Sequence, residues 1–374
     1  MTEKIAIIGA GNAGCISALN LQFLNITDDY DIDEIEIYHD PNSPIERVGQ
    51  GTQLNIRETV FDVLDINWVT KNTIKATTKQ GIRYKGWGKK NDDFFHPFQT
   101  GSVAMHYVPK LLSQQVLESG LFNVVEKTIT NPENEIDATY IMDCRGRPDE
   151  LDDSYDILTN PINSVILARK EGANPHLLWT EHIATPNGWV FVIPNHDSVS
   201  YGYLYNNTIT TKEDAEKDFV ERFDVEPNDY ISFNNYVAKN MWTGEKTILN
   251  GNSYSFIEPM EAIASAVHHN ISECLYDVLI GERSREEVND SVYNEMHQIQ
   301  DFILWHYKNG SIYDTPFWNY AQSLAYTNEE ELINHIKKCL DLPSIVNLEN
   351  FDLQQYGHWV PSSFRIWNNI VGSA

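Results

Sequence analysis

The sequence predicts an α/β fold: a doubly wound parallel sheet, an antiparallel sheet interleaved with it, and a helical C-terminal part. Three observations carry this. Residues 4–8 (KIAII) form a short apolar, β-branched run that passes straight into Gly9-Ala10-Gly11-Asn12-Ala13-Gly14 and then an amphipathic segment at 15–24. Strand patterns return at 34–38 and 139–142, and a glycine-led loop opens at Gly251. Residues 179–205 alternate apolar and polar about a turn at Pro194-Asn195-His196-Asp197, the signal of an antiparallel hairpin.

Each element has a physical reason. An unbroken apolar run such as 4–8 suits a strand covered on both faces of a parallel sheet. Strand, GxGxxG, helix is the order a dinucleotide site requires. Gly9 permits the tight turn, Gly11 lets backbone approach a pyrophosphate, and Gly14 lets helix and strand pack closely. The pyrophosphate then sits at the positive end of the helix. The strand at 34–38 ends at His39-Asp40, where an acid meets an adenosine ribose; a solvated turn aspartate before Pro41 fits the same place. The strand at 139–142 runs into Asp143-Cys144-Arg145-Gly146, a third crossover facing the nucleotide. Residues 251–259 (GNSYSFIEP) read as a loop followed by a helix with Pro259 in its first turn. Residues 212–223 are a charged amphipathic helix, and 284–307 a longer one with Val288, Val292, Met296, Ile299, Phe302 and Ile303 on its buried stripe. Segments returning to one nucleotide site imply interleaved units. Residues 1–90, 130–160 and 245–275 form the nucleotide-binding module, 91–129 and 161–244 the substrate side, and 276–374 the helical C-terminal region.

Composition narrows the function. The 374 residues are 41% hydrophobic and 22% charged, with a net charge of −27. So acidic a surface repels phosphate backbones and anionic lipids, which argues against nucleic-acid and membrane partners. No apolar stretch approaches the ~20 residues that cross a bilayer, and the N-terminus lacks the apolar core of a signal peptide. Cys15, Cys144, Cys274 and Cys339 lie far apart without a Cys-x-x-Cys, so neither a disulfide framework nor a metal site is expected. His268-His269 reads as helix surface, and the acid run at 149–153 as a solvated loop. The expectation is a soluble, cytoplasmic protein.

Seven motifs in order give a more specific resemblance. They are the Gly9–Gly14 opening; residues 48–56 (VGQGTQLNI); residues 79–84 (KQGIRY) followed by Trp87; residues 94–98 (FFHPF); residues 188–194 (GWVFVIP); residues 251–261 (GNSYSFIEPME); and residues 314–318 (DTPFW). Together they resemble the flavin-dependent halogenases of the tryptophan-halogenase type, from Lys4 to about Trp318. Three positions depart from that pattern. Phe191 replaces a second tryptophan in the GWxWxIP motif, Gln50 replaces the acid of VGEAT, and Ile263-Ala264 stands in place of Thr-Gly.

The resemblance implies an FAD-binding, Rossmann-like fold and an O2- and FADH2-dependent enzyme. Reduced FAD from a separate flavin reductase would form a flavin hydroperoxide, and halide attack on it would yield hypohalous acid. That oxidant would travel to Lys79, where a small aromatic or phenolic substrate is halogenated. Lys79 can act as an ammonium that hydrogen-bonds hypohalous acid or as an amine that forms a haloamine; without the resemblance it would read as a surface lysine. Glu261 would stabilise the arenium cation and take its proton, or be an ordinary first-turn acid with Glu258. His96 and Phe98 would present flat faces to the ring. Trp189 and Phe191 would wall the substrate from the flavin, and Pro259, Ile263 and Ala264 would border the halide. The cofactor set is Gly9, Gly11, Ala13, Gly14, Asp40, Gly49, Gln50, Gly51, Thr52, Gly251 and Asn252. A flavin monooxygenase hydroxylating an aromatic ring on the same scaffold is the alternative, motivated by Phe191. A catalytically silent FAD-fold binding protein is a third reading, motivated by Gln50 and Ile263. The short C-terminal part leads us to expect an open pocket and broad acceptance of small aromatics. A homo-oligomer is compatible with the sequence.

Overall fold

The run at residues 4–8 is the central strand, Glu3–Ile8, of a five-stranded parallel sheet in the computed structural model, which describes residues 3–28, 32–45, 48–89, 93–98, 102–174, 176–341 and 356–371. The strand order is Thr247–Leu249, Tyr140–Asp143, Glu3–Ile8, Ile32–His39, Asn123–Glu126. All four pairings are parallel. Alternation sends Ile5 and Ile7 into the main core and Ala6 and Ile8 into a smaller cluster with Ile129, Ile136 and Ile141. Both faces of the strand are therefore dry, which is why no polar residue interrupts it.

The helix after the glycines runs Asn12–Thr27 and is buried through its first ten residues rather than amphipathic. It packs on Ala264–Leu279, and Asn250 clasps the two: its amide donates to Ser17 Oγ and to the His268 carbonyl, both at 2.9 Å. His268 and His269 lie in this packed layer and are buried, contrary to the surface reading, because the helix turns that face toward its neighbour.

The second sheet has seven strands: Pro227–Ser232, Ser164–Glu171, Ser198–Tyr205, Gly188–Pro194, Thr180–Thr185, Gly81–Lys85 and Asp93–Pro97. Only Thr180–Thr185 with Gly81–Lys85 is parallel. Trp189, Phe191 and Ile193 face the main core, whereas Val190 and Val192 face Ala215 and Phe219 of the helix Lys212–Phe223. A three-stranded sheet of Gln50–Gly51, Ala104–Tyr107 and Thr77–Lys79 joins the two large sheets. The long C-terminal helix is Arg285–Lys308, opened by a Ser284–Glu287 capping box.

Among the described residues the C-terminal part covers the substrate-side strands rather than leaving them open. Trp367 of the helix Pro361–Val371 packs on Tyr84 and Phe94 of the seven-stranded sheet, while Phe364 and Trp359 pack on Phe302 of the long helix. Aromatic residues of this short segment supply the cover that a longer elaboration was expected to provide. Among the described residues no helix is long and apolar enough to cross a membrane.

Candidate functional site

The nucleotide end is built by backbone geometry. Gly9 has φ +105°, and a Cβ there would lie 2.6 Å from the Cys144 carbonyl oxygen. Gly251 has φ +70°, and its Cβ would fall 2.5 Å from Ala13 Cβ, so the tip of the last strand closes directly over the glycine turn. Gly11 is the N-cap of the first helix. It offers no side-chain acceptor and no acid follows in the first turn, so the first amides face outward with the helix dipole behind them. Asp40 stands just beyond strand Ile32–His39 and is half-buried. Its carboxylate accepts from Asn42 N and Thr128 Oγ1, both at 2.8 Å, and these bonds hold its pKa low. Open amides at a helix start and an ionised acid at the next strand end fit the pyrophosphate and ribose of FAD.

The loop 49–53 connects that end to the chemistry. Gly49 N donates to Ser200 Oγ at 3.2 Å, and Gln50 and Gly51 pair with Tyr107 and His106. Lys79, in strand Thr77–Lys79, is completely buried. Its ammonium donates to the Thr52 carbonyl at 3.0 Å and stands 5.3 Å from the Phe98 ring centroid. A Cβ at Gly51 would lie 3.2 Å from Nζ, so the glycine makes room for the lysine. Burial draws its pKa down to about 7, against the pull of Glu261. Lys79 is thus a desolvated amine of the core. His106 and His182 in the same region are driven below the usual imidazole range by burial.

Glu261 is 2% exposed. It is no first-turn acid: Pro259 caps a 3-10 turn, Met260–Ala262, and the helix starts only at Ala264. At φ +67° the backbone of Glu261 is left-handed and turns the carboxylate inward. Oε1 accepts from Tyr84 Oη and lies 2.9 Å from His306 Nε2 and 3.4 Å from His96 Nδ1; Oε2 accepts from Trp359 Nε1 at 3.2 Å. Burial alone would push this carboxyl up, but His96 and His306 hold it well below the usual carboxylate range. Gln53 Nε2 donates to its backbone carbonyl at 2.7 Å, so one loop touches both Lys79 and Glu261. His96 is also 2.9 Å from Ser363 Oγ, and Phe98 is half-buried beside Lys79.

Trp189 and Phe191 form one aromatic face with ring centroids 6.4 Å apart, and a side chain at Gly202 would collide with the Phe191 ring. Trp189 Nε1 donates to Tyr307 Oη at 2.7 Å, which donates to Glu258 Oε2 at 2.6 Å. Burial raises Glu258 to about 8, making it a neutral acid at pH 7. Asn252, Ile263 and Ala264 line a cavity of about 50 Å³ with Phe256, Ile257 and Val267. Ile263 caps the following helix without a side-chain acceptor, leaving its first amides open beside that space.

Sequence reasoning missed Tyr84, His306, Tyr307 and Trp359. One signal was present: the buried stripe of Arg285–Lys308, extended four residues from Phe302, lands on His306.

A family model described as Tryptophan halogenase matches residues 4–115 and 113–371. Tryptophan 7-halogenase RebH of Lentzea aerocolonigenes is 23% identical over 303 residues, 74% of this chain and 55% of that protein. Tryptophan 6-halogenase SttH of Streptomyces toxytricini is 28% identical over 156 residues, 39% of this chain and 29% of that one. The matched part thus spans about half of the first relative and under a third of the second. The solved structure of BrvH, a flavin-dependent halogenase from Brevundimonas sp. BAL3, aligns with TM-score 0.79 and 19% identity, covering 99% of this chain and 90% of that one. The SttH structure aligns at 0.76 with 20% identity, covering 99% and 91%. At such identities the likeness establishes the fold.

Proposed function

The chain belongs to the tryptophan halogenase family, and from that premise we propose that it halogenates a small aromatic or phenolic molecule at Lys79. The observation that carries the reading is a fully buried lysine with a pKa near 7, beside an aromatic ring and a loop shared with a buried carboxylate. Neither burial nor the glutamate is needed by a merely structural lysine.

Bound FAD, reduced by a separate flavin reductase, would supply with O2 and halide the oxidised halogen. Gly9, Gly11, Ala13, Gly14, Asp40, Gly251 and Asn252 would hold its nucleotide, and Gly49 to Thr52 would lie toward its ring. The open amides after Ile263 would hold the halide. Trp189 and Phe191 would keep the substrate from the flavin. Lys79 Nζ would hold hypohalous acid by hydrogen bond as an ammonium, or exchange a proton for halogen with release of water as an amine; at a pKa near 7 both forms exist. Phe98 and His96 would orient the ring. Glu261 would stabilise the arenium cation as the new carbon–halogen bond forms, and its Oε2 would receive the leaving proton.

The test is mass spectrometry of a small-aromatic panel with FAD, reductase, NADH, O2 and chloride, bromide or iodide. Halogenated product that requires halide and vanishes in Lys79→Ala, with FAD binding retained, is expected. Hydroxylated product without halide would overturn the reading in favour of a monooxygenase.

A further inference from the structure

His306 has a hydrogen-bond arrangement that fixes where a proton must be. Its Nδ1 lies 2.7 Å from the Phe302 carbonyl oxygen, an atom that can only accept, so Nδ1 carries a hydrogen. Its Nε2 lies 2.9 Å from Glu261 Oε1. A lone pair cannot face a carboxylate oxygen at that distance without a proton between them. Either His306 is an imidazolium or Glu261 is a carboxylic acid.

The surroundings choose between them. The carboxylate already receives the Tyr84 hydroxyl on Oε1 and the Trp359 indole N–H on Oε2, two donors that favour the anion. The indole of Trp367 lies 3.8 Å from the His306 ring centroid, tilted by 55°, close enough for its π-face to favour a cation. Resting on the functional reading above, we infer that His306 is the counter-cation of Glu261, a positioning residue that carries the shared proton and keeps the carboxylate negative toward the substrate ring.

The other groups facing the pair fit this assignment. Tyr84 comes from strand Gly81–Lys85, His96 from Asp93–Pro97, His182 from Thr180–Thr185, and the indoles from the C-terminal segment. Burial outweighs the carboxylate and draws His306 below the usual imidazole range, while Glu261 is held well below the usual carboxylate range. The proton is placed on His306 by the two hydrogen-bond distances and by the donors that already favour the anion. His96 stands farther off, at 3.4 Å, and Lys79 donates to the Thr52 carbonyl rather than to Glu261; with His306 as the counter-ion the lysine is available for halogen. Glu261 forms no bond to carbon. When the arenium carbon–hydrogen bond breaks, its electron pair restores aromaticity and the proton passes to Oε2, whose partner among the described residues is the Trp359 indole.

The experiment uses full-length, FAD-loaded protein labelled with 15N-histidine, the His306 signal being assigned by its loss in His306→Gln. Both ring nitrogens of His306 should be protonated at pH 7, and Glu261→Gln should turn the residue neutral. His306→Gln keeps a donor but no charge; product formation should fall about 10- to 100-fold, as for loss of a charge-assisted bond, with substrate KM within about threefold. A neutral His306 in the wild type would overturn the inference, as would full-rate halogenation in His306→Gln. The nitrogen spectra need no turnover, so a wild type that halogenates nothing would refute the functional reading while doubly protonated His306 still upheld the ion pair. Should His306→Gln fail to fold, His306→Asn supplies the assignment and the Glu261→Gln spectra decide the matter.

Discussion

Lys79→Met should abolish halogenation and at the same time make the protein more stable at neutral pH. Methionine keeps the length and apolar stem of lysine and removes its charge. Burial holds the ammonium near pKa 7, against 10.5 in the unfolded chain. At about 1.4 kcal/mol per tenfold change, the charged form costs the fold on the order of 4–5 kcal/mol. The substitution also strips the Thr52 carbonyl of its donor, a loss of about 1–3 kcal/mol. The net gain is about 2–3 kcal/mol. At ~2.1 cal/mol/K per residue of unfolding entropy it is a rise of about 3 °C in Tm for a chain of 374 residues. Its pH dependence has a definite sign. Folding lowers this lysine's pKa, so the cost is complete below pH ~7 and disappears as pH rises toward 10.5, where the unfolded chain also loses the proton. Thermal or urea unfolding of both proteins between pH 6 and 10 measures it. A mutant less stable than wild type at pH 6, or a difference that does not change with pH, would refute the claim that this ammonium is desolvated.

Three further outcomes are expected. Trp359→Ala removes an indole stacked 3.9 Å from Phe302 and bonded to Glu261, so it should cost about 3–5 kcal/mol in unfolding experiments and raise kcat/KM for bulkier aromatics relative to small ones. Gly251→Ala forces a side chain into φ +70° and against Ala13, and should lower Tm and weaken FAD binding measured by fluorescence quenching. Glu258→Gln should gain stability on wild type as pH rises from ~4.5 to ~8, because folding raises this carboxyl to about 8 and the wild type loses stability across that window; paired urea titrations at pH 5 and 8 check it.

Much of the fold is legible because local chemistry and position coincide. Glycines with one permitted geometry announce the first crossover, and the stripe of Arg285–Lys308 and the charges of Lys212–Phe223 mark their helices to within a residue. Lys79 is different. Its neighbours are polar and nothing in 77–85 says that the strand is covered on both sides, so only the motif resemblance singles it out. The residues around Glu261 were hidden for another reason. Tyr84, His306 and Trp359 come from segments up to 275 positions apart, and each looks locally like core or surface filler. His268-His269 failed in the same way: histidine reads as surface, yet the helix packing buries both. The C-terminal cover depended on which of several tryptophans reach inward, something composition alone does not say.

Glu258 and Glu261 lie three residues apart in one short segment, yet the fold leaves one neutral and the other anionic. On a regular helix they would share a face and a similar solvent exposure. The left-handed kink at Glu261 and Ala262, with φ of +67° and +53°, separates them instead. Glu258 is directed to the neutral donors Tyr307 and Trp189, and burial leaves it protonated. Glu261 is directed to two imidazoles, a phenol and an indole, and stays anionic although it too is buried. Two left-handed residues without glycine cost on the order of 1–3 kcal/mol each, which local packing alone gives no reason to spend. The halogenation proposed above would give one: it would use a fixed negative charge at Glu261, where the aromatic cation would form, and a neutral acid at Glu258, which Tyr307 links to Trp189. The kink delivers both from one turn of chain.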